Sequence, residues 1–174
     1  MIRVVLSDPS SVDSEAILRS VSSDLAADTT FSRELELRAG SELSDRLRAM
    51  GELPVGAAVI TPGGDLPVPF IIHAVLQSAE EPVRAKTVSS ALQNGLRRAQ
   101  EWGLESLALS PLGTGAGNLD AEESASVMVP LIAKHLETSE HPREVIIVVG
   151  NEYEEEVFLR EVDRASGQTA APTG

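Results

Sequence analysis

Apolar and polar residues follow two rhythms along this chain. Short apolar runs at residues 2–6 (IRVVL), 16–18 (AIL), 56–61 (GAAVIT), 70–74 (FIIHA), 105–110 (ESLALS) and 145–149 (VIIVV) have strand length and end in turn residues. The last run is apolar at every position, the mark of a strand buried on both faces. Between these runs the spacing becomes helical. Leu43, Leu47 and Met50 share one face of a short helix bounded by Gly40-Ser41 and Gly51. A longer helix is predicted from Glu81-Pro82 to Gly103, with a buried stripe of Val88, Ala91 or Leu92, Gly95 and Ala99. Gly95 within that stripe implies close packing on the sheet, because glycine otherwise weakens a helix. A third helix buries Ala121, Ala125, Met128, Ile132 and Leu136, and Pro130 inside it predicts a kink or an early break. A last, strongly charged helix carries Val157, Leu159 and Val162. Residues 19–33 are polar and rich in Ser, Asp and Thr, with no clear period.

Strands alternating with helices, the strands apolar throughout, predict a three-layer α/β/α sandwich around a mixed, largely parallel sheet. At 174 residues the chain suits one core. A single domain is expected over residues 1–165, followed by a disordered tail at 166–174 (SGQTAAPTG). Fourteen basic against 27 acidic residues give a net charge of −13, which repels nucleic acid and leaves an anionic ligand to be held by backbone amides. Without cysteine there is no disulfide, thiolate metal site or thiol nucleophile. No apolar run has membrane-spanning length and the first residues are too soon acidic for a signal peptide, so no membrane partner and a cytoplasmic location are expected. His73, His135 and His141 lack metal-ligand spacing, so no metal is expected. His73 on the FIIHA strand reads as a packed or hydrogen-bonded residue, and His135 as a helix-end residue.

The richest candidate for chemistry is residues 110–123, SPLGTGAGNLDAEE. It reads as the end of a buried strand, a loop built on Gly113, Gly115 and Gly117, and a helix start with the Asp120/Glu123 spacing of a capping box. A loop with few Cβ atoms ahead of a helix N-terminus suits a phosphate or diphosphate; the same loop also suits a tight turn that holds no ligand. It is no Walker loop, since neither lysine of the chain, Lys86 or Lys134, lies in it. Nor is it the dinucleotide fingerprint, whose third glycine is replaced by Asn118.

Residues 51–75, GELPVGAAVITPGGDLPVPFIIHAV, together with 112–125, LGTGAGNLDAEESA, resemble the macrodomain family, and LRAGSEL at 37–43 resembles the stretch that precedes them. Macrodomains bind ADP-ribose, and some hydrolyse ADP-ribosyl groups or ADP-ribose 1″-phosphate. The resemblance implies that Leu112, Gly113, Thr114, Gly115, Ala116, Gly117 and Asn118 form the diphosphate loop. It places Asp8 where the family has an aspartate accepting from adenine, although Asp8 also suits a plain Asp-Pro turn. Asn151 and Tyr153 fall where the family sets a residue against the adenine ring, and Tyr153 suits a surface position equally well.

The departures lie in the first ligand loop. The family's Asn-Ala-Ala-Asn aligns with Arg19-Ser20-Val21-Ser22, and Ser22 is too short for the distal ribose contact of the second asparagine. The glycine run that follows aligns with residues 27–31, ADTTF, which contain no glycine. The aspartate of some hydrolytic members aligns with Ser32. Pro9 after Asp8 has no N–H to offer a base. For activating or orienting a water only Asp28 and Arg19 can be nominated. The resemblance therefore implies a binder of ADP-ribose or an ADP-ribosylated molecule, with no cofactor. The alternatives are a hydrolase acting on ADP-ribosyl groups or ADP-ribose 1″-phosphate, and a module that kept the fold and lost the ligand.

Overall fold

The computed structural model describes residues 1–115 and 118–169, with side chains to residue 167. Its elements run β1 (Ile2–Leu6), a 3-10 turn (Pro9–Ser11), β2 (Ala16–Ser22), α1 (Thr30–Ala39), α2 (Ser41–Met50), β3 (Ala58–Pro62), β4 (Phe70–Gln77), α3 (Ala85–Glu101), β5 (Ser106–Leu109), α4 (Ala121–Thr138), β6 (Glu144–Val149) and α5 (Glu152–Thr169). The six strands form one sheet in the order β1-β6-β5-β2-β4-β3. Every pairing is parallel except that of β3 with β4, which closes one edge antiparallel. The expected three-layer sandwich is the observed fold.

Alternate residues of the central strands supply two cores, one on each face, as the strand period requires. On one face Leu18, Ile72, Leu107, Leu109 and Ile147 meet Val88, Leu92 and Leu96 of α3, Met128 and Ile132 of α4, and Phe158 of α5. On the other, Ile17, Val21, Ile71, Val75, Ala108 and Ile146 meet Leu35 and Ala39 of α1 and Leu43 and Leu47 of α2. A Cβ at Gly95 would lie 2.5 Å from Leu18 Cδ1, so α3 sits on β2 as closely as its glycine predicts.

Four local expectations are corrected. Helix α3 starts at Ala85 rather than at Glu81-Pro82, because residues 78–81 close a turn (Ser78 N to Glu81 O, 2.8 Å) and Thr87 Oγ1 accepts the Arg84 amide at 3.0 Å. Helix α4 does not end at Pro130 but continues to Thr138. Pro130 and Ser126, four residues earlier, are both exposed, so the carbonyl left without a helical donor faces water. Strand β2 extends four residues beyond the apolar run, through Arg19 to Ser22. Residues 166–169, expected to begin the tail, continue α5, and 170–174 lie outside the described residues.

Candidate functional site

A parallel sheet puts the carboxyl ends of β1, β6, β5 and β2 on one edge. The chain leaves β5 towards α4 on one face and leaves β2 towards α1 on the other. Between β5 and β2 the connections therefore diverge, and a crevice opens where they part. A cleft of about 340 Å³ lies there. Its walls come from Ser7 and Pro9 after β1, Leu18, Arg19 and Ser20 of β2, Thr29, Thr30 and Phe31 at the start of α1, Ser110, Pro111, Leu112 and Thr114 after β5, and Val148, Val149, Gly150 and Glu154 around β6 and α5. Another depression, of about 380 Å³, sits between the start of α2 and Asp65 and holds none of the candidate site residues.

The glycine loop divides into a part that serves packing and a part that faces the cleft. Leu112 is buried; its amide meets Met128 Sδ at 3.2 Å and its carbonyl accepts from Ser124 Oγ at 2.8 Å. Gly113 has φ +79°, and a Cβ there would stand 2.8 Å from Val88 Cγ2 and 3.1 Å from Val83 Cγ1. Its glycine is explained by this fit against α3. Thr114 is exposed on the cleft wall. Gly115 is different, since among the described residues a Cβ there would meet only the Asn118 side-chain amide, at 2.8 Å. Asn118 is exposed and its backbone amide donates to Gly115 O at 3.1 Å. Ala116 and Gly117, the other expected members, lie outside the described residues. Asp120 caps α4 by accepting the Glu123 amide at 2.8 Å, so the positive end of that helix lies next to the loop.

The base-side candidates are engaged elsewhere. Asp8 Oδ1 accepts from the Ser10 hydroxyl at 2.7 Å and the Ser10 amide at 2.9 Å. These bonds hold the Asp8 carboxyl below its ordinary range. Asp8 is exposed and caps the 3-10 turn, the Asp-Pro turn role open to it from sequence. Its neighbours Ser7 and Pro9 line the cleft instead. Asn151 Oδ1 accepts the Glu154 amide at 2.8 Å and so caps α5, while Tyr153 is 57% exposed. Neither borders the cleft; the residue of this segment that does is Glu154, one helical turn in.

The β2 side is the most altered. Ser22 is carried past the cleft by the extension of β2, and its amide bonds Ala26 O at 2.9 Å in the turn that follows. Asp28 also stays off the cleft wall: Oδ1 accepts from Ser20 Oγ at 2.7 Å and Oδ2 from Gln77 Nε2 at 3.2 Å. Of the two residues nominated for activating or orienting a water, Arg19 is not a base, because a guanidinium has no proton-accepting nitrogen at working pH. Its side chain is wholly buried beneath α1. Nε donates to His73 Nδ1 at 2.8 Å; Nη1 donates to Ser32 O and Oγ, both at 3.1 Å, and to Glu36 Oε2 at 2.9 Å. Burial lowers the Arg19 pKa, opposed by the Glu36 hydrogen bond and charge.

This arrangement fixes a chain of donors. The Arg19 N–H points at His73 Nδ1, so the imidazole proton sits on Nε2 and donates to Thr61 Oγ1 at 2.9 Å, which in turn donates to Pro62 O at 3.1 Å. His73 is fully buried, and desolvation, aided by the Arg19 charge, pushes its pKa well below the ordinary 6.5. It is the hydrogen-bonded histidine that its strand suggests. Ser32 Oγ closes the network onto Ser20 O at 2.7 Å. Sequence reasoning named Ser32 only as an aligned position and missed Glu36 and Thr61, because their partners lie elsewhere in the chain.

The site is a sheet-edge crevice of nucleotide size, flanked by two helix N-termini. Comparison with known proteins identifies its class. The Macro domain family pattern matches residues 20–128. An uncharacterized protein of Aeropyrum pernix is 32% identical over 155 residues, spanning 87% of this chain and 80% of its own length. An Enterobacter protein named O-acetyl-ADP-ribose deacetylase is 27% identical over 165 residues, 91% of this chain and 92% of its own. The Oceanobacillus iheyensis macrodomain with ADP superposes with a TM-score of 0.85 at 21% identity, over 95% of this chain and 91% of that one. The Trypanosoma brucei macrodomain in complex with ADP-ribose gives 0.81 at 17% identity, over 91% and 68%. The chain belongs to the macrodomain family. Among the described residues no helix is long and apolar enough to cross a membrane, and no group of three or more acidic or histidine side chains is arranged to hold a metal ion.

Proposed function

We propose that the protein binds ADP-ribose or an ADP-ribosyl group, with the diphosphate on the loop from Gly113 to Gly117. One observation carries this: the cleft stands open at the divergence of β5 and β2, and the exposed part of the glycine loop borders it ahead of a capped helix. Related macrodomains crystallised with ADP or ADP-ribose agree with that ligand class. Residues Arg19, Ser20, Thr29, Thr30 and Phe31 line the cleft without filling it, which supports a binding role over a module that lost its ligand.

The test is a calorimetric titration of wild type and Gly115→Glu with ADP-ribose, with AMP as control. Glutamate at this position puts a carboxylate where the diphosphate would lie, and among the described residues its Cβ displaces only the Asn118 side-chain amide. Wild type should bind ADP-ribose more tightly than AMP, and the variant should lose at least about tenfold in affinity, about 1.4 kcal/mol, with its melting temperature unchanged. No heat with wild type would refute the reading.

Hydrolysis is the second reading, favoured by one contact. Ser20 lines the cleft and its hydroxyl donates to Asp28 Oδ1 at 2.7 Å, a route that would link a water bound at Ser20 to a carboxylate.

A further inference from the structure

Helices α3 and α4 leave the carboxyl ends of β4 and β5 and run back across the same face of the sheet. Their last turns therefore lie where the strands begin, at the end of the molecule away from the cleft. A groove of about 340 Å³ opens between them there. Arg97 of α3 and Lys134 and His135 of α4 stand on its walls, with Leu96 and the half-buried Leu131 as its apolar members. Among the described residues no carboxylate borders it, and the exposed Arg97 and Lys134 side chains have no hydrogen-bond or ion-pair partner.

Such a clearing stands out in a chain with 27 acidic against 14 basic residues. The nearest acidic residues along each helix are turned elsewhere. Glu101 accepts from Arg98 Nη1 at 2.6 Å, and Arg98 Nε donates to Ala58 O at 3.1 Å, so that pair faces β3. Glu137 lies on the α5 side of α4, in a depression with Met1, Leu136 and Val162. A helix C-terminus favours nearby cations, which accounts for the charge of Arg97 and Lys134. It does not account for a concave wall that holds no counter-charge. The groove is also fixed in shape. Gln100 Oε1 accepts the His141 amide at 2.6 Å and His135 Nε2 donates to His141 O at 2.9 Å, which ties both helices to one loop.

We propose that this groove docks an acidic segment of a partner polypeptide, its carboxylates meeting Arg97 and Lys134 and an apolar side chain lying against Leu131. Charge complementarity selects the occupant. The chain as a whole repels an acidic partner, so a segment bound here is held locally by these cations. From Gln93 to Gln100, and from Leu131 to Thr138, the walls run about two helical turns, about 10 Å. That length takes about three extended residues, at about 3.3 Å each. Nucleic acid fits less well, since the groove is short and offers no aromatic side chain on which a base could stack. Groove and cleft lie at opposite ends of the strands, so a partner held here leaves the cleft open to its own ligand.

The test is fluorescence anisotropy of a short labelled peptide of glutamate with leucine at every third position, on wild type and on the double variant Arg97→Gln, Lys134→Gln. Glutamine keeps the helix propensity and removes the charge, so the variant should keep its melting temperature. Wild type should bind the peptide. That binding should weaken about threefold or more when salt rises from about 0.01 M to about 0.15 M, as the Debye length falls from about 30 Å to about 8 Å. The double variant should lose about tenfold or more in affinity. On 15N-labelled protein the peptide should shift the Arg97, Lys134 and Thr138 amides. No binding by wild type, or equal binding by the variant, would overturn the proposal. So would shifts confined to Thr114, Gly115 and Gly150, which would put the peptide in the cleft. A single-stranded oligonucleotide of equal charge that bound more tightly than the peptide would replace the polypeptide partner with nucleic acid. Self-association of wild type, lost in the double variant, would replace it with a second copy of this chain.

Discussion

Protonation of His73 is the sharpest test of the buried polar network. In the folded protein Nδ1 accepts from Arg19 Nε–H at 2.8 Å and Nε2 faces Thr61 Oγ1. A second ring proton would have to sit on Nδ1, opposite an arginine N–H and beside its positive charge, on a fully buried ring. The folded pKa is therefore depressed well below 6.5, while the unfolded chain titrates near that value. Above about pH 6.5 neither state carries the extra proton, and this contribution to stability is fully present. As pH falls through 6.5 towards the folded value, only the unfolded state gains the proton, and stability is lost. Between pH 7 and pH 5 the loss amounts to about 2 kcal/mol from this one residue. Urea denaturation of wild type and His73→Gln at pH 7, 6 and 5 isolates it, because every other ionisable group is common to both proteins. The variant is expected to be less stable at pH 7 and to show a shallower fall on acidification, the difference in slopes giving the 2 kcal/mol. Parallel pH profiles for the two proteins would show that His73 exchanges protons in the folded state, and the network as described would be wrong.

Two further outcomes follow from the loop and the cleft wall. Gly113→Ala combines a positive φ with a Cβ 2.8 Å from Val88, and should lower stability in urea by about 2–4 kcal/mol; a loss under about 1 kcal/mol would show that the loop relaxes away from α3. If the protein releases product from an ADP-ribosylated substrate, Asp28→Ala should slow release about a hundredfold or more through loss of the Ser20 proton route, and unchanged turnover would exclude that route.

What the sequence shows of this fold is what local rhythm can encode. The VIIVV strand, the α3 stripe with Gly95, and the strand–loop–helix around Gly113 are each specified by neighbours a few residues apart. Helix α1 was invisible to the same reasoning. Its buried positions are Ser32, Leu35 and Ala39, and the serine lies where an apolar residue would complete the stripe. That serine packs on Arg19 and the Ser20 carbonyl, so the helix face matches a polar patch of sheet and shows no hydrophobic period. The end of β2 was hidden for the reciprocal reason: Arg19 and Ser20 are buried only because β4 and α1 supply their partners from far along the chain. The cleft was half legible. Its glycine loop announces itself by composition, whereas Ser7, Phe31 and Glu154 enter it through the divergence of strands and carry no local mark. Asn151 and Tyr153 share a segment with Glu154, and of the three it is Glu154 that the phase of α5 sets on the cleft wall.

The sheet order has a consequence for the moment of synthesis. The edge strand β1 pairs only with β6, and Arg3 meets Glu144 across 141 residues of chain. A growing polypeptide therefore carries IRVVL without its partner until nearly all of the domain has left the ribosome. The reverse dependence is harsher. Without β1, the most apolar strand of the protein becomes a sheet edge, with a row of free backbone groups open to any passing extended segment. The first few residues thus act as a fitted shield for β6, and their loss would be expected to show first as self-association, well before any change at the distant cleft.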